Sequence, residues 1–219
     1  MADHRFLVAD DHPLFRGALK QTLERIFDNL SIVEAGTFGE VVATVEQEPG
    51  IDLVLLDLKM PGTQGFSGLV YLRVQFPQMP VVVVSASDEP QVIRRAIDLG
   101  ASGFVPKSAD AGEMGTALSA VLDGGVWVPA GFDLDGESDG EIDELVQRLA
   151  SLMPQQVRVL MMLREGLLNK QIAYQFTVSE ATVKAHVSAI LQKLNVDSRT
   201  QAVIASSRID GEQLLAGSA

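Results

Sequence analysis

A doubly wound, five-stranded parallel α/β domain followed by an all-helical domain is the fold class this 219-residue chain predicts. Three observations carry it. Through residue 125, short apolar runs alternate with stretches of helical period. From about residue 140 the pattern is helical throughout. Charge divides the same way: residues 1–148 hold 10 Lys+Arg against 24 Asp+Glu, net −14, and residues 149–219 hold 7 against 5, net +2. Such asymmetry points to two domains with different partners.

The apolar runs "RFLVAD" (5–10), "SIVEAG" (31–36), "IDLVLLD" (51–57), "PVVVVSA" (80–86) and "SGFVPK" (102–107) read as strands. Between and after them, 13–27, 38–48, 65–76, 89–100 and 110–125 place apolar residues at helical spacing, as Leu14, Phe15, Ala18, Leu19, Leu23 and Ile26 do in the first. Alternation of this length implies a parallel sheet covered on both faces. In "AGFDLDGESDGEIDELVQR" (130–148) seven of nineteen residues are acidic, which reads as a linker. Its second half spaces Ile142, Leu145, Val146 and Leu149 as an amphipathic helix starting near Gly140. Helices are predicted over 154–166, 169–176, 179–194 and 198–209, then a flexible tail. The expected domains are 1–127, an acidic linker 128–148 that is helical in its second half, a helical domain 149–210 and a tail 211–219.

Composition excludes several classes. Cysteine is absent, so disulfides, thiolate metal sites and cysteine nucleophiles are impossible. There is no apolar run of membrane-spanning length and no signal-peptide pattern at the start, which suits a cytoplasmic protein with no membrane partner. No Gly-rich phosphate loop or Ser/His/Asp arrangement is present.

Ligands of such sheets bind outside the carboxyl ends of the strands. Here those ends carry Asp10 and Asp11, Asp57, Ser85 and Lys107. Gathered on one edge, three carboxylates repel, and a hard cation such as Mg²⁺ is their natural neutraliser. A lysine and a hydroxyl beside them suit an anion, and a phosphoryl group would bind both cation and lysine. The buried strand "LVLL" then exists to hold Asp57 rigid, and "PG" at 61–62 turns the chain away from it.

Together "ADDH", "DLKMPG", "VVVVSAS" and "GASGFVPKS" resemble the receiver domain of two-component response regulators over roughly residues 4–124. The resemblance implies a flavodoxin-like sheet in which Asp57 accepts a phosphoryl group from a histidine kinase. Asp10, Asp11, Asp57 and the backbone carbonyl of Lys59 would hold Mg²⁺. Lys107 would pair with the phosphoryl oxygens, Ser85 would hydrogen-bond one of them, and Phe104 would swing inward behind it. Ser108 stands where the family has proline, with Pro106 before the lysine instead. Phosphatases that form an aspartyl-phosphate carry a general-acid Asp two residues on; Lys59 occupies that place and cannot serve.

In the C-terminal part, "NKQIAYQFTVSEATVKAHVSAILQKLNVDSRTQAV" is similar to the DNA-binding domain of LuxR-type (NarL/FixJ) regulators. Where that family caps its first two helices with Ser or Thr, this chain has Met153 and Leu168, the latter with Asn169 as a substitute. On the wheel of 179–194, Val183, Val187, Ile190, Leu191 and Leu194 form the buried stripe. Opposite them lie Ala181, Ala185, Ser188 and Gln192. Lys184 is the best candidate for a base contact, Ala185 for a thymine methyl and Ser188 for an adaptable polar contact. Lys170, Thr182 and Lys193 are expected at phosphates, and Ser179 is the N-cap at the same surface. His186, at the stripe's edge, is read as packing at least as readily as contact.

The whole predicts a phosphorylation-gated transcription regulator. The family suggests that the resting receiver covers the recognition helix, and that phosphorylation frees it to bind double-stranded DNA as a homodimer. The cognate kinase is one partner, and RNA polymerase is admitted as another. Two readings stay open beside this one: DNA binding independent of phosphate, and a relay protein using the receiver alone.

Overall fold

The structure is a computed structural model that describes residues 4–48, 50–63, 65–132 and 140–210. The described residues divide into two compact units, one through residue 132 and one from residue 140. The tail expected at 211–219 lies outside the described residues.

The first unit alternates β1 (His4–Ala9), α1 (Pro13–Ile26), β2 (Leu30–Ala35), α2 (Phe38–Gln47), β3 (Leu53–Leu56), α3 (Ser67–Gln75), β4 (Val81–Ser85), α4 (Pro90–Asp98), β5 (Gly103–Pro106) and α5 (Ala111–Leu122). The strands form one parallel sheet in the order β2-β1-β3-β4-β5. Every residue of β3, β4 and β5 is buried, which is why their sequences are continuous apolar runs rather than alternations. One face packs Phe6, Val8, Leu55, Val82, Val84 and Val105 against Leu19 and Leu23 of α1 and Met114, Leu118 and Val121 of α5. The direction of winding reverses between β1 and β3, so the loops after these two neighbouring strands part and leave a crevice there. Gly62, at φ +87°, makes the turn beyond β3, and Phe38 N–H donates to the Pro61 carbonyl at 2.9 Å.

The second unit holds α6 (Gly140–Ala150), α7 (Pro154–Arg164), α8 (Asn169–Phe176), α9 (Glu180–Leu194) and α10 (Arg199–Asp210). Val157, Leu160 and Leu163 of α7, Ile172 of α8, Val183, Ile190 and Leu194 of α9 and Ala202 of α10 are buried. The helix expected in the acidic linker forms as α6. It packs on α9 and α10, with Leu149 buried and the Arg148 guanidinium donating to the Leu194 carbonyl at 3.3 Å, so this helix belongs to the helical unit.

The atypical helix starts are solved from the third residue of each helix. Met153 and Leu168 hold N-cap dihedrals without a side-chain cap. Gln156 Oε1 accepts from Met153 N–H at 2.8 Å, and Gln171 Oε1 accepts from Leu168 N–H at 2.7 Å. Each is the returning half of a capping box. Asn169, expected to substitute as a cap, is instead the first residue inside α8.

Candidate functional sites

Side by side in the sheet, β1 and β3 deliver Asp10 and Asp57 to the crevice, both nearly sealed from solvent at 2% and 3% exposure. Asp57 N–H donates to the Ala9 carbonyl at 2.9 Å, which continues the β1–β3 ladder up to the carboxylate and fixes its backbone. Lys107 follows β5, and its ammonium lies 2.6 Å from Asp10 Oδ2 and 2.8 Å from Asp57 Oδ2. Its own N–H donates to the Ser85 carbonyl at 2.7 Å, which ties the ends of β4 and β5 together. Two opposed effects act on each partner. Burial pushes the Asp57 carboxyl above its ordinary value, and Lys107 only partly offsets this. Burial alone would lower Lys107, but hydrogen bonds to Asp10 and Asp57 outweigh it and hold the ammonium above its usual range.

Asp10, Asp11, Asp57 and His12 each offer a ligand atom, all within 4.8 Å of one another. This donor set, dominated by carboxylate oxygens, fits a hard divalent cation. His12 was not among the residues expected here. Its N–H donates to Asp10 Oδ1 at 2.8 Å, and its Nδ1 lies 2.7 Å from Asp11 Oδ1. Adjacency in "DDH" was the available signal; at the N-cap of α1, with extended dihedrals, His12 holds its imidazole beside the carboxylates.

Of the remaining expected residues, Lys59 follows β3, Ser85 ends β4 and Phe104 lies within β5. Lys59 N–H donates to Asp57 Oδ1 at 3.2 Å. Ser85 is buried at the end of β4, where its Oγ accepts from Ser87 N–H at 3.2 Å. Phe104 is 0% exposed, so the ring expected to swing inward already lies inside, and any switching motion is a rearrangement within the core. After Lys107 the chain makes a turn with Ala109 N–H on the Pro106 carbonyl at 3.0 Å, and all described peptide bonds are trans.

In the second unit, α9 presents Thr182, Lys184, Ala185, Ser188 and Gln192 to solvent, and Lys170 of α8 is exposed. Ser179 caps α9, accepting from Thr182 N–H at 3.1 Å. Lys184 pairs with Glu180 at 3.4 Å, one turn back on an exposed face, a contact weak enough to yield to a ligand. Lys193 departs from expectation. Its ammonium turns inward, donating to the Ser151 carbonyl at 2.6 Å and Gln156 Oε1 at 3.0 Å, so it fastens α9 to the start of α7. His186 is half-buried.

The family model "response regulator receiver domain" matches residues 6–119, and that of "bacterial regulatory proteins, luxR family" matches residues 150–206. The chain belongs to the LuxR-type response regulators. Among its relatives, the glycerol metabolism activator of Pseudomonas putida is 39% identical over 213 residues, spanning 94% of this chain and 96% of that one. The nitrate/nitrite response regulator protein NarP of Escherichia coli is 32% identical over 205 residues, 90% and 92% of the two chains. The solved structure of RcsB from Salmonella enterica serovar Typhimurium, bound to promoter P1flhDC with the phosphomimetic BeF3⁻, shares the fold at TM-score 0.55 and 21% identity. That match covers 94% of this chain and 98% of RcsB. As a response regulator of this type, the chain is a receiver-linked, DNA-binding transcription regulator rather than an enzyme. Among the described residues, no helix is long and apolar enough to cross a membrane.

Proposed function

We propose that this regulator takes its signal as a phosphoryl group on Asp57, donated by the phosphohistidine of a histidine kinase. The observation that supports it most is the Lys107 ammonium held between Asp10 and Asp57 beside a cluster of carboxylates. An Asp57 carboxylate oxygen attacks phosphorus, the P–N bond breaks, and the imidazole leaves with the electron pair. The fixed Asp57 backbone provides the alignment that in-line transfer needs. Asp10, Asp11, Asp57 and the Lys59 carbonyl would hold Mg²⁺, which when bound neutralises the carboxylates and the incoming phosphoryl oxygens. Lys107 moves its donors from Asp57 to a phosphoryl oxygen, and Ser85 donates its hydroxyl to another. The added charge of about −1.5 to −2 then biases the sheet edge around Ser85 and Phe104.

The output is DNA binding as a homodimer by α9, with Lys184, Ala185 and Ser188 at base edges and Lys170, Ser179 and Thr182 at phosphates. Support comes from the exposure of these residues together and from the N-terminus of α9, which favours phosphate. RcsB, which shares this fold, is recorded as two dimers bound to two parallel DNAs. RNA polymerase is proposed as the further partner of a transcription regulator. The test is phosphoryl uptake from acetyl phosphate and Mg²⁺, read by intact mass and peptide mapping. Uptake at Asp57, absent in Asp57→Asn, is expected; equal uptake by the variant would overturn the assignment.

A further inference from the structure

We propose that Phe15 is a positioning residue for Lys107. The Lys107 ammonium lies 4.7 Å from the centre of the Phe15 ring, as well as against Asp10 and Asp57. A cation over an aromatic face is attracted by the ring's quadrupole, and more so when desolvated. The ring is itself held, since Phe15 packs against the hydrophobic core on the α1–α5 face of the sheet. The next residue, Arg16, donates to the Asp10 carbonyl at 2.6 Å and to Glu34 at 3.1 Å, which locks the first turn of α1 onto the sheet edge. This inference rests on phosphoryl transfer to Asp57. As Lys107 moves its donors from Asp57 to a phosphoryl oxygen, the ring is the neighbour that keeps the ammonium in place without competing for its hydrogen bonds. Phe15→Leu keeps apolar bulk and removes the π face. Uptake from acetyl phosphate by the full chain should slow by about two- to tenfold, the range of a cation–π contact at this depth. Phe15→Trp should restore the rate. The same Phe15→Leu change made in a Lys107→Ala background should have no effect. An equal loss in both backgrounds would make Phe15 a packing residue only and overturn the inference. Absence of any uptake by the wild type would instead remove the phosphoacceptor reading beneath it.

An independent observation points to a second device. Residues 126–132 follow α5, yet they return to the sheet. Trp127 forms a one-residue parallel bridge with Gly103; Trp127 N–H donates to the Ser102 carbonyl at 3.2 Å, and Phe104 N–H donates to the Trp127 carbonyl at 3.0 Å. Gly103 permits the approach, because a Cβ there would stand 3.2 Å from the Trp127 oxygen. Farther on, the Phe132 ring lies 5.7 Å beneath the Arg94 guanidinium of α4. The geometry assigns these residues as a strap that fastens the chain leaving the receiver to β5, at Phe104, and to α4. Movement of Lys107 and Ser85 toward a phosphoryl group shifts β5, and the strap carries that shift into the chain leading to α6. Trp127 is the chain's single tryptophan, so its emission reports the strap directly. Phosphorylated full-length protein should show a shifted Trp127 emission, absent in Asp57→Asn. Phe132→Ala should take up phosphate at the wild-type rate but lose at least threefold of the gain in DNA affinity that phosphorylation brings. Unchanged emission in protein shown by mass to be phosphorylated, or a full affinity gain in Phe132→Ala, would overturn the strap. Failure of wild-type uptake would be a failure of the phosphoacceptor reading, and the mass measurement tells the two apart.

Discussion

At the residue scale, Asp57 is a poorly solvated carboxylate whose raised pKa has a consequence for stability. A folded-state value above the unfolded one means that the native state binds protons more tightly. The contribution is therefore fully present below the unfolded value of 3.8 and is lost as pH rises through the folded value. At neutral pH the ionised group is a net burden. Asp57→Asn removes it while Asp10 still pairs with Lys107. The receiver of the variant should melt higher than wild type at pH 7 in metal-free buffer, with the difference vanishing below about pH 3.8. A lower midpoint at pH 7 would mean that the Lys107 pair outweighs burial. Asp11→Ala removes a clustered carboxylate and should weaken the Mg²⁺ titration by at least tenfold; an unchanged titration would count against the site. The placing of Asp10, Asp11, Asp57, Ser85 and Lys107 at the carboxyl ends of strands was legible in the sequence, because each ends or follows a short apolar run. His12 and Phe15 were not, since their reach to the site depends on how α1 enters, which no periodicity records.

Elements show where local rules were broken and what replaced them. Ser179 follows the rule, and Ser179→Ala should cost about 0.5–2 kcal/mol in the unfolding of the helical unit. Met153 breaks it, but its dihedrals are those of a cap and Gln156 already returns the second half of the box. Met153→Thr supplies the missing acceptor and should stabilise that unit by about 1 kcal/mol, read as a rise in its denaturant midpoint. No rise would mean that the exposed methionine's own packing matters more than the cap. Helix and strand ranges were legible to within three residues, since period and turn residues are local properties. Two features of long range were not. One residue of pairing at Trp127 leaves no pattern, so the expected receiver boundary at residue 127 falls inside the strap. Lys193 looked like a phosphate contact because a wheel shows which face it occupies but not that Ser151 and Gln156 wait beneath it.

For the whole molecule, the charge asymmetry and the proposed gating make separable predictions. If the receiver restricts DNA binding at rest, the C-terminal portion alone should bind more tightly than the unphosphorylated full chain, by the inverse of the competent fraction. Part of that advantage is repulsion from the −14 of residues 1–148. Repulsion fades as the Debye length falls from about 10 Å at 0.1 M to about 3 Å at 1 M salt, whereas occlusion persists. An advantage that survives moderate salt is expected, and one that disappears would identify repulsion as the cause. The most direct test of the central claim is the DNA affinity of the full chain, on sites selected from random DNA, with and without acetyl phosphate and Mg²⁺. Affinity at least tenfold higher is expected for the phosphorylated chain, with no gain for Asp57→Asn. Equal affinity of the two forms, in protein whose Asp57 is shown by mass to be phosphorylated, would contradict it.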